Sequence, residues 1–440
     1  MKRDSCIPRK LFLGVILTFV IAALSTPAAF SQSPQVVTTA PADELHQLWT
    51  RVVDPILRQT IQGGQQSETV GTTMMVPLQA AFRLRDTQWQ RTFTDHFSRL
   101  VENASVLPDE DLGRLQYLYL ASQFLLLAQA SGQQEIIPLG LPELLFSQIH
   151  NVWLVKPAWQ FAGGGPAFPG GVRERTLWKL KTRRVGKSYF REINDVDFYV
   201  FVIAADLKAY GGTAAQKQAW NPMLDDVLAI AHRVFVQEVA PQPGGGWILQ
   251  PGVWTDHPEY QYAGNKEITP GMKPVPVRGI APDSSHAHRF PLWLTSLMRA
   301  YPPNSEENRF YEGLRSGFEK QVFNSVLVKP SKDFPCYRMN NFMDGSNGVY
   351  RWNYPGMGQG SGFGPYGNSY ALLVGWWAFV DTDRMRAVYR ELAATFPWPK
   401  ECVEIYLGPT IPNGHPASAY DPGSSSMRLW HLSVWLDSQL

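Results

Sequence analysis

The stretch RGIAPDSSHAHRFPLWL, residues 278–294, sets Asp283, Ser284, Ser285, His286, His288 and Arg289 directly before an apolar run. The chain has nine histidines in all, so two in one turn concentrate groups that titrate near neutrality. Such a set suits proton transfer: an imidazole as base or acid, a carboxylate fixing its tautomer, an arginine balancing charge. Pro291 lacks an N–H and its ring clashes with the carbonyl four residues back, so it belongs in the first turn of a helix. The helix of Leu292, Trp293, Leu297 and Met298 is therefore predicted to begin near Arg289, with residues 283–288 as its opening turn. Both histidines then face the positive end of the helix dipole, which predicts a lowered pKa, a neutral imidazole and room for an anionic ligand group. The plainer alternative makes Asp283 or Ser285 a cap and His286 a satisfied buried side chain. A metal site built from His257, His286 and His288 is a weaker reading, because no carboxylate or cysteine spacing completes a known ligand set.

Two irregular stretches flank this turn. Residues 241–283 are rich in Pro, Gly, Trp and Tyr, and WTDHPEYQYAGN brings together Trp254, Asp256, His257, Glu259, Tyr260 and Tyr262. If that piece is extended, Asp256, Tyr260 and Tyr262 share one face while His257 and Glu259 share the other. Residues 330–367 add Arg338, Asn340, Asn341, Asp344, Tyr350, Arg351, Trp352 and Tyr366. Polar groups interleaved with flat aromatic rings suit a sugar, whose C–H faces stack on rings and whose hydroxyls need donors and acceptors.

The elements that must position these residues read as helices. Helical spacing runs from residue 42 to about 240, with Asp86 and Thr213 as N-caps, Gly132 as a C-cap, and segments at 142–154, 194–210 and 213–239. Helices resume at 289–301, 305–323, 369–380, 383–396 and 425–438. About a dozen helices joined by short turns predict a mainly α fold in which antiparallel hairpins close into a ring, with short β or irregular insertions at 241–283 and 330–367. No repeat period supports an open solenoid instead.

The first residues have a separate purpose. Lys2, Arg3, Arg9 and Lys10 precede the apolar LFLGVILTFVIAAL and a small-residue stretch, the layout of a signal peptide over 1–31, leaving 32–440 as a single exported domain. Removing that segment takes a net +3 from the formal +2 and leaves −1. A near-neutral chain argues against nucleic acid or an anionic membrane as partner. Cys336 and Cys402 then remain, and export permits but does not require a disulfide. No GxSxG, HExxH, Walker A or CxxC occurs, and no cofactor or metal is expected. GFGPYG (Gly362, Gly364, Gly367) satisfies GxGxxG, but no apolar strand leads into it, so it reads as a tight loop.

With the exported helical hairpins, the YQYAG segment (Tyr260–Gly264) and the Asp-x-Ser-His turn (Asp283–His286), the chain resembles the (α/α)-toroid group of glycan-active proteins: glucuronyl C5-epimerases, polysaccharide lyases and helical-ring glycoside hydrolases. RMNN (Arg338–Asn341) is similar to the Arg-Asn-Asn run of toroid alginate lyases. Phe342, Met343 and Asp344 stand where those lyases continue with His, Ser and Tyr. The resemblance implies an (α/α) toroid and a periplasmic or secreted enzyme acting on a glycan, with no stable membrane partner. The favoured chemistry is uronate-directed elimination or epimerisation, with His286 as base, Tyr260 or Tyr262 as acid, and Arg289 or Arg351 stabilising the carboxylate as it turns enolate-like. Asp283 and Asp256 belong to the same catalytic set. Trp254, His257, Glu259, His288, Asn341, Asp344, Tyr350, Arg351, Trp352 and Tyr366 are the expected substrate contacts. The alternatives are hydrolysis by a carboxylate pair among Asp256, Glu259, Asp283 and Asp344, or a non-catalytic periplasmic glycan binder.

Overall fold

The computed structural model describes residues 42–440 apart from 60, 62 and 161–165. The signal-peptide expectation for 1–31 lies outside the described residues. The described chain is mainly helical, and its strands are short, forming three two-stranded antiparallel pairs. None of its helices is long and apolar enough to cross a membrane.

Two helices, Asp111–Ala130 and Asp195–Tyr210, carry the core. Every residue from Asp197 to Leu207 is buried, which requires neighbours on all sides rather than along one stripe. Those neighbours come in a definite order. Helix Gly64–Thr73 packs on Asp111–Ala130, that helix on Asp195–Tyr210, that on Phe290–Arg299, and that on the turn Trp376–Val380. The last helix, Ser425–Asp437, returns to pack against Ala42–Val52 and Met75–Arg83.

Polar side chains inside the core bond to each other across these helices, since an unpaired buried group costs more than a bond gains. Asp206 accepts from Ser122 Oγ (2.6 Å) and Gln123 Nε2 (2.8 Å), and Gln123 also reaches Ser296 Oγ at 3.0 Å. Asn194 opens helix Asp195–Tyr210 through a capping box with Asp197. Buried Asp197 is itself clamped by Arg175 (2.9 Å) and Lys179 (2.6 Å), so the start of that helix, and Asp195 upon it, is firmly placed.

The helices expected at 194–210, 213–239, 289–301, 305–323, 383–396 and 425–438 occur with ends shifted by a few residues at most. The one expected at 369–380 is broken. Gly375, at φ 88°, separates Ala371–Val374 from Trp376–Val380, and a Cβ there would meet Asp437 Oδ2 at 2.3 Å. Helices Gly64–Thr73, Gly171–Lys181 and Lys400–Tyr406 are additional to those expected individually.

Both insertions begin with a small hairpin. Val239–Pro241 pairs with Trp247–Leu249, and Leu327–Val328 with Arg338–Met339. Cys336 and Cys402 form a disulfide across 66 residues, tying the second insertion to helix Lys400–Tyr406. Replacing both cysteines by serine is expected to lower stability by roughly 4 kcal/mol, the chain-entropy value for a loop of that size. Denaturant unfolding with and without reductant measures it. An unchanged midpoint on reduction would contradict a structural role for the bond.

Candidate functional site

The dihistidine turn is a short helix of its own, Ser284–Ala287, which runs into helix Phe290–Arg299 with Pro291 in its first turn. Asp283 is its N-cap and is buried. Its carboxylate accepts from the His286 N–H (3.1 Å), Ser285 Oγ (2.5 Å) and the Tyr260 hydroxyl (2.9 Å). His286 Nδ1 lies 2.9 Å from each carboxylate oxygen, and Nε2 has no hydrogen-bond partner among the described residues. The imidazole is 35% exposed.

This contact decides the charge of the imidazole, against the sequence expectation. Burial disfavours the imidazolium, but the Asp283 charge and hydrogen bond overcome it and hold the His286 pKa above the ordinary value. The same contact holds Asp283 well below the carboxylate range against its own burial. A bonded carboxylate at 2.9 Å outweighs the partial charge of a helix end. The shift favours the imidazolium, opposite in direction to the lowered pKa expected from the helix end. His288 does have a lowered pKa, through burial and then Arg289, but it is walled in beside the rings of Trp376 (5.6 Å) and Trp377 (6.3 Å).

Hydrogen bonds bring the two insertions to this turn. Ser284 N–H donates to the Asn341 carbonyl (2.9 Å), and Met343 N–H to that of Pro282 (2.9 Å). Arg351 N–H donates to the Glu259 carbonyl (2.9 Å), and their side chains form an ion pair at 3.1 Å. Tyr350 donates its hydroxyl proton to the other Glu259 oxygen (3.0 Å). Segment 254–262 is not extended. Pro258 starts a 3₁₀ turn, Pro258–Tyr260, that buries Glu259 and Tyr260 together instead of on opposite faces. Trp254 stacks on Tyr260 with ring centroids 5.1 Å apart.

Several expected residues have structural duties. Tyr260 spends its hydroxyl on Asp283, so it positions the carboxylate and is not a free acid. Asp256 holds Ser188, accepting from its N–H at 2.9 Å and its hydroxyl at 2.5 Å. Asp344 is exposed and closes its own turn onto Ser346. Asn341 is a buried strut bonded to the Gly348 and Gly364 carbonyls and the Asn368 N–H. Tyr366 lies under the Arg338 guanidinium at 4.3 Å. Trp352 and Tyr262 are half-buried within their insertions. His257 is buried against Tyr189 (4.6 Å) and Trp254 (4.9 Å), and burial lowers its pKa.

Other residues join the site from helices whose local sequence carried no such signal. Asp195, in the first turn of its helix, pairs with Arg289. Glu68, half-buried on helix Gly64–Thr73, is pushed up to about 7 by burial, with Arg289 opposing and Glu110 and Asp195 reinforcing; His286 is also within its electrostatic reach. Burial likewise keeps Glu192 well above the carboxylate range despite Lys179, with Asp195, Asp197 and Glu259 adding to the rise. Tyr370 hydrogen-bonds Ser285, and Tyr354 hydrogen-bonds Glu259. The pattern is consistent: His286, Arg289 and Arg351 each have an acidic partner, while Glu68 and Glu192 form no ion pair among the described residues. A carboxyl of raised pKa within electrostatic reach of an oriented imidazole is a constellation suited to proton transfer. No group of three or more His, Cys, Asp or Glu among the described residues is placed to hold a metal.

The chain matches no family model, no curated protein and no solved structure.

Proposed function

We propose that this protein is an exported carbohydrate-active enzyme, a uronate-directed lyase or epimerase on an (α/α)-toroid scaffold. The observation that carries the reading is the Asp283–His286 dyad, with Nδ1 held at 2.9 Å and Glu68, its pKa pushed up to about 7, within electrostatic reach of the ring. Glu68 removes the proton from C5 of a uronic acid. His286, as imidazolium, and Arg289 balance the charge that develops on the sugar carboxylate. Asp283 and Tyr260 hold the imidazole in place. In elimination the C4–O bond then breaks as His286 gives its proton to the departing oxygen, leaving a C4–C5 double bond; in epimerisation His286 instead gives its proton to C5 from the face opposite Glu68.

The neighbour order supports the ring: the helices contact one another in sequence and the last returns to the first ones. The signal-type N-terminus and the disulfide support export to an oxidising compartment. One observation favours hydrolysis as a second reading: Glu68 and Asp195 are both within electrostatic reach of His286, and a raised carboxyl near another carboxylate also suits an acid–base pair acting on a glycosidic bond.

A panel of uronate-containing and neutral polysaccharides tests this. Growth of unsaturated-uronate absorbance indicates elimination, and C5 inversion at constant chain length indicates epimerisation. New reducing ends without unsaturation would transfer the site to hydrolysis. Binding with no turnover would make the protein a glycan binder.

A further inference from the structure

We infer that Arg338 is a second anion site, a guanidinium set to bind the carboxylate of an outer unit of the same polyuronate chain. The inference rests on the uronate reading above and extends it beyond the reacting sugar. Arg338 differs from Arg289 and Arg351, whose charges are spent on Asp195 and Glu259. Among the described residues it forms no ion pair, and its buried Nε has no hydrogen-bond partner. What holds it is aromatic. Its guanidinium packs over two rings, 4.5 Å from the centroid of Phe334 and 4.3 Å from that of Tyr366. Rings cover the faces of a guanidinium and leave its N–H edge to a planar oxyanion, with the plane of the fork already fixed. Both rings are themselves anchored. Phe334 and Ser331 exchange backbone hydrogen bonds at 2.8 and 3.3 Å, just before the disulfide at Cys336. Tyr366 takes a left-handed backbone at φ 63°, and its N–H donates to Asn347 Oδ1 at 2.8 Å.

The same framework ties Arg338 to the dihistidine turn. Asn341, three residues further on, accepts the Ser284 N–H on its carbonyl at 2.9 Å. Tyr370, which hydrogen-bonds Ser285, ends the 3₁₀ turn Gly367–Tyr370 that Tyr366 opens, a rise of about 8 Å. Asn347 Oδ1 also accepts from the Asn341 N–H (3.2 Å), and Met339 N–H donates to Ser369 Oγ (2.8 Å). The two segments are thus locked side by side. Three residues of chain reach at most about 11 Å, so the Arg338 backbone lies within a few sugar units of the turn. A polyuronate repeats its carboxylate on every unit, so a guanidinium at that remove recognises the polymer and rejects a neutral one.

Calorimetric titration of the His286→Ala chain, alone and with Arg338→Gln or Arg338→Lys added, tests this. The probes are oligogalacturonates and oligoalginates of two to six units, methyl-esterified oligogalacturonates as neutral comparators, and sulfated oligosaccharides. The expected result is that Arg338→Gln weakens the longest uronate oligomers about tenfold, the loss of one charge-assisted pair, and less at high salt. The disaccharide should be unaffected, and Arg338→Lys should recover only part of the loss, because it lacks the fork. Equal loss at every length, as a merely structural stack would give, or no loss at all, overturns the site and leaves the uronate reading intact. Length-dependent loss confined to sulfated oligosaccharides upholds the anion site and removes the uronate reading. Binding of neutral probes alone, or of none, overturns both.

Discussion

Replacing His286 by alanine is expected to lower turnover on the responsive uronate polymer by roughly 10²–10⁴-fold, the range for loss of a positioned acid or base. Binding should change little, because the imidazole donates one proton while the aromatic faces and other polar groups remain. Asp283→Asn supplies the diagnostic contrast. It preserves shape but removes the charge that lifts His286, so the imidazole pKa must fall as burial prevails. The high-pH limb of the rate profile should then move to lower pH, and Tyr260→Phe should move it less. Rates and NMR titration of the His286 ring measure both. An unmoved limb in Asp283→Asn would show that the dyad is only a helix cap.

Glu68→Gln should cost a similar factor and, in addition, remove the low-pH limb. In the wild-type protein Glu68 must be ionised to accept a proton, so the rate rises as pH passes through about 7. It falls again once His286 loses its proton, which gives a bell-shaped profile. Stability moves the opposite way. The folded pKa of Glu68, about 7, lies above its unfolded value near 4.5, so the native state holds the proton more tightly. The stability this contributes is fully present below 4.5, declines between 4.5 and 7, and is absent above. Glu68→Gln should flatten that decline in denaturant unfolding curves collected across this window. A variant with full activity and the wild-type pH-stability slope would remove Glu68 from the mechanism.

Much of this arrangement was legible in the sequence because it rests on local physics. Pro291 can stand only in the first turn of a helix, which placed the dihistidine turn where it lies. Asp283 was readable as a cap and as the partner of an imidazole, and it serves as both. The Arg351–Glu259 pair was present as two expected contacts, though not as a pair. What escaped was long-range. Glu68 sits in GGQQSETVGTT, a segment with little apolar periodicity, and becomes part of the site through packing against helix Asp111–Ala130. A Cβ at Gly71 would lie 2.8 Å from the Gln116 backbone, so that close packing depends on glycine. Asp195 lies in the first turn of the helix expected at 194–210, but its pairing with Arg289 spans 94 positions. The His286 pKa was misjudged because a helix dipole is visible in sequence, whereas the distance of a carboxylate from a ring nitrogen is not. Residue type suggests chemistry at Asp256 and Asp344 alike, but the first bonds Ser188, 68 positions away, and the second closes its own turn onto Ser346.

Reaction in deuterium oxide followed by NMR of the recovered glycan tests most directly whether this site moves the C5 proton of a uronic acid. The expected result is either deuterium at C5 of the remaining polymer or loss of the C5 hydrogen with a new C4–C5 double bond, and neither change with His286→Ala or Glu68→Gln. Glycan cleaved by the wild-type protein with every C5 hydrogen retained would contradict it.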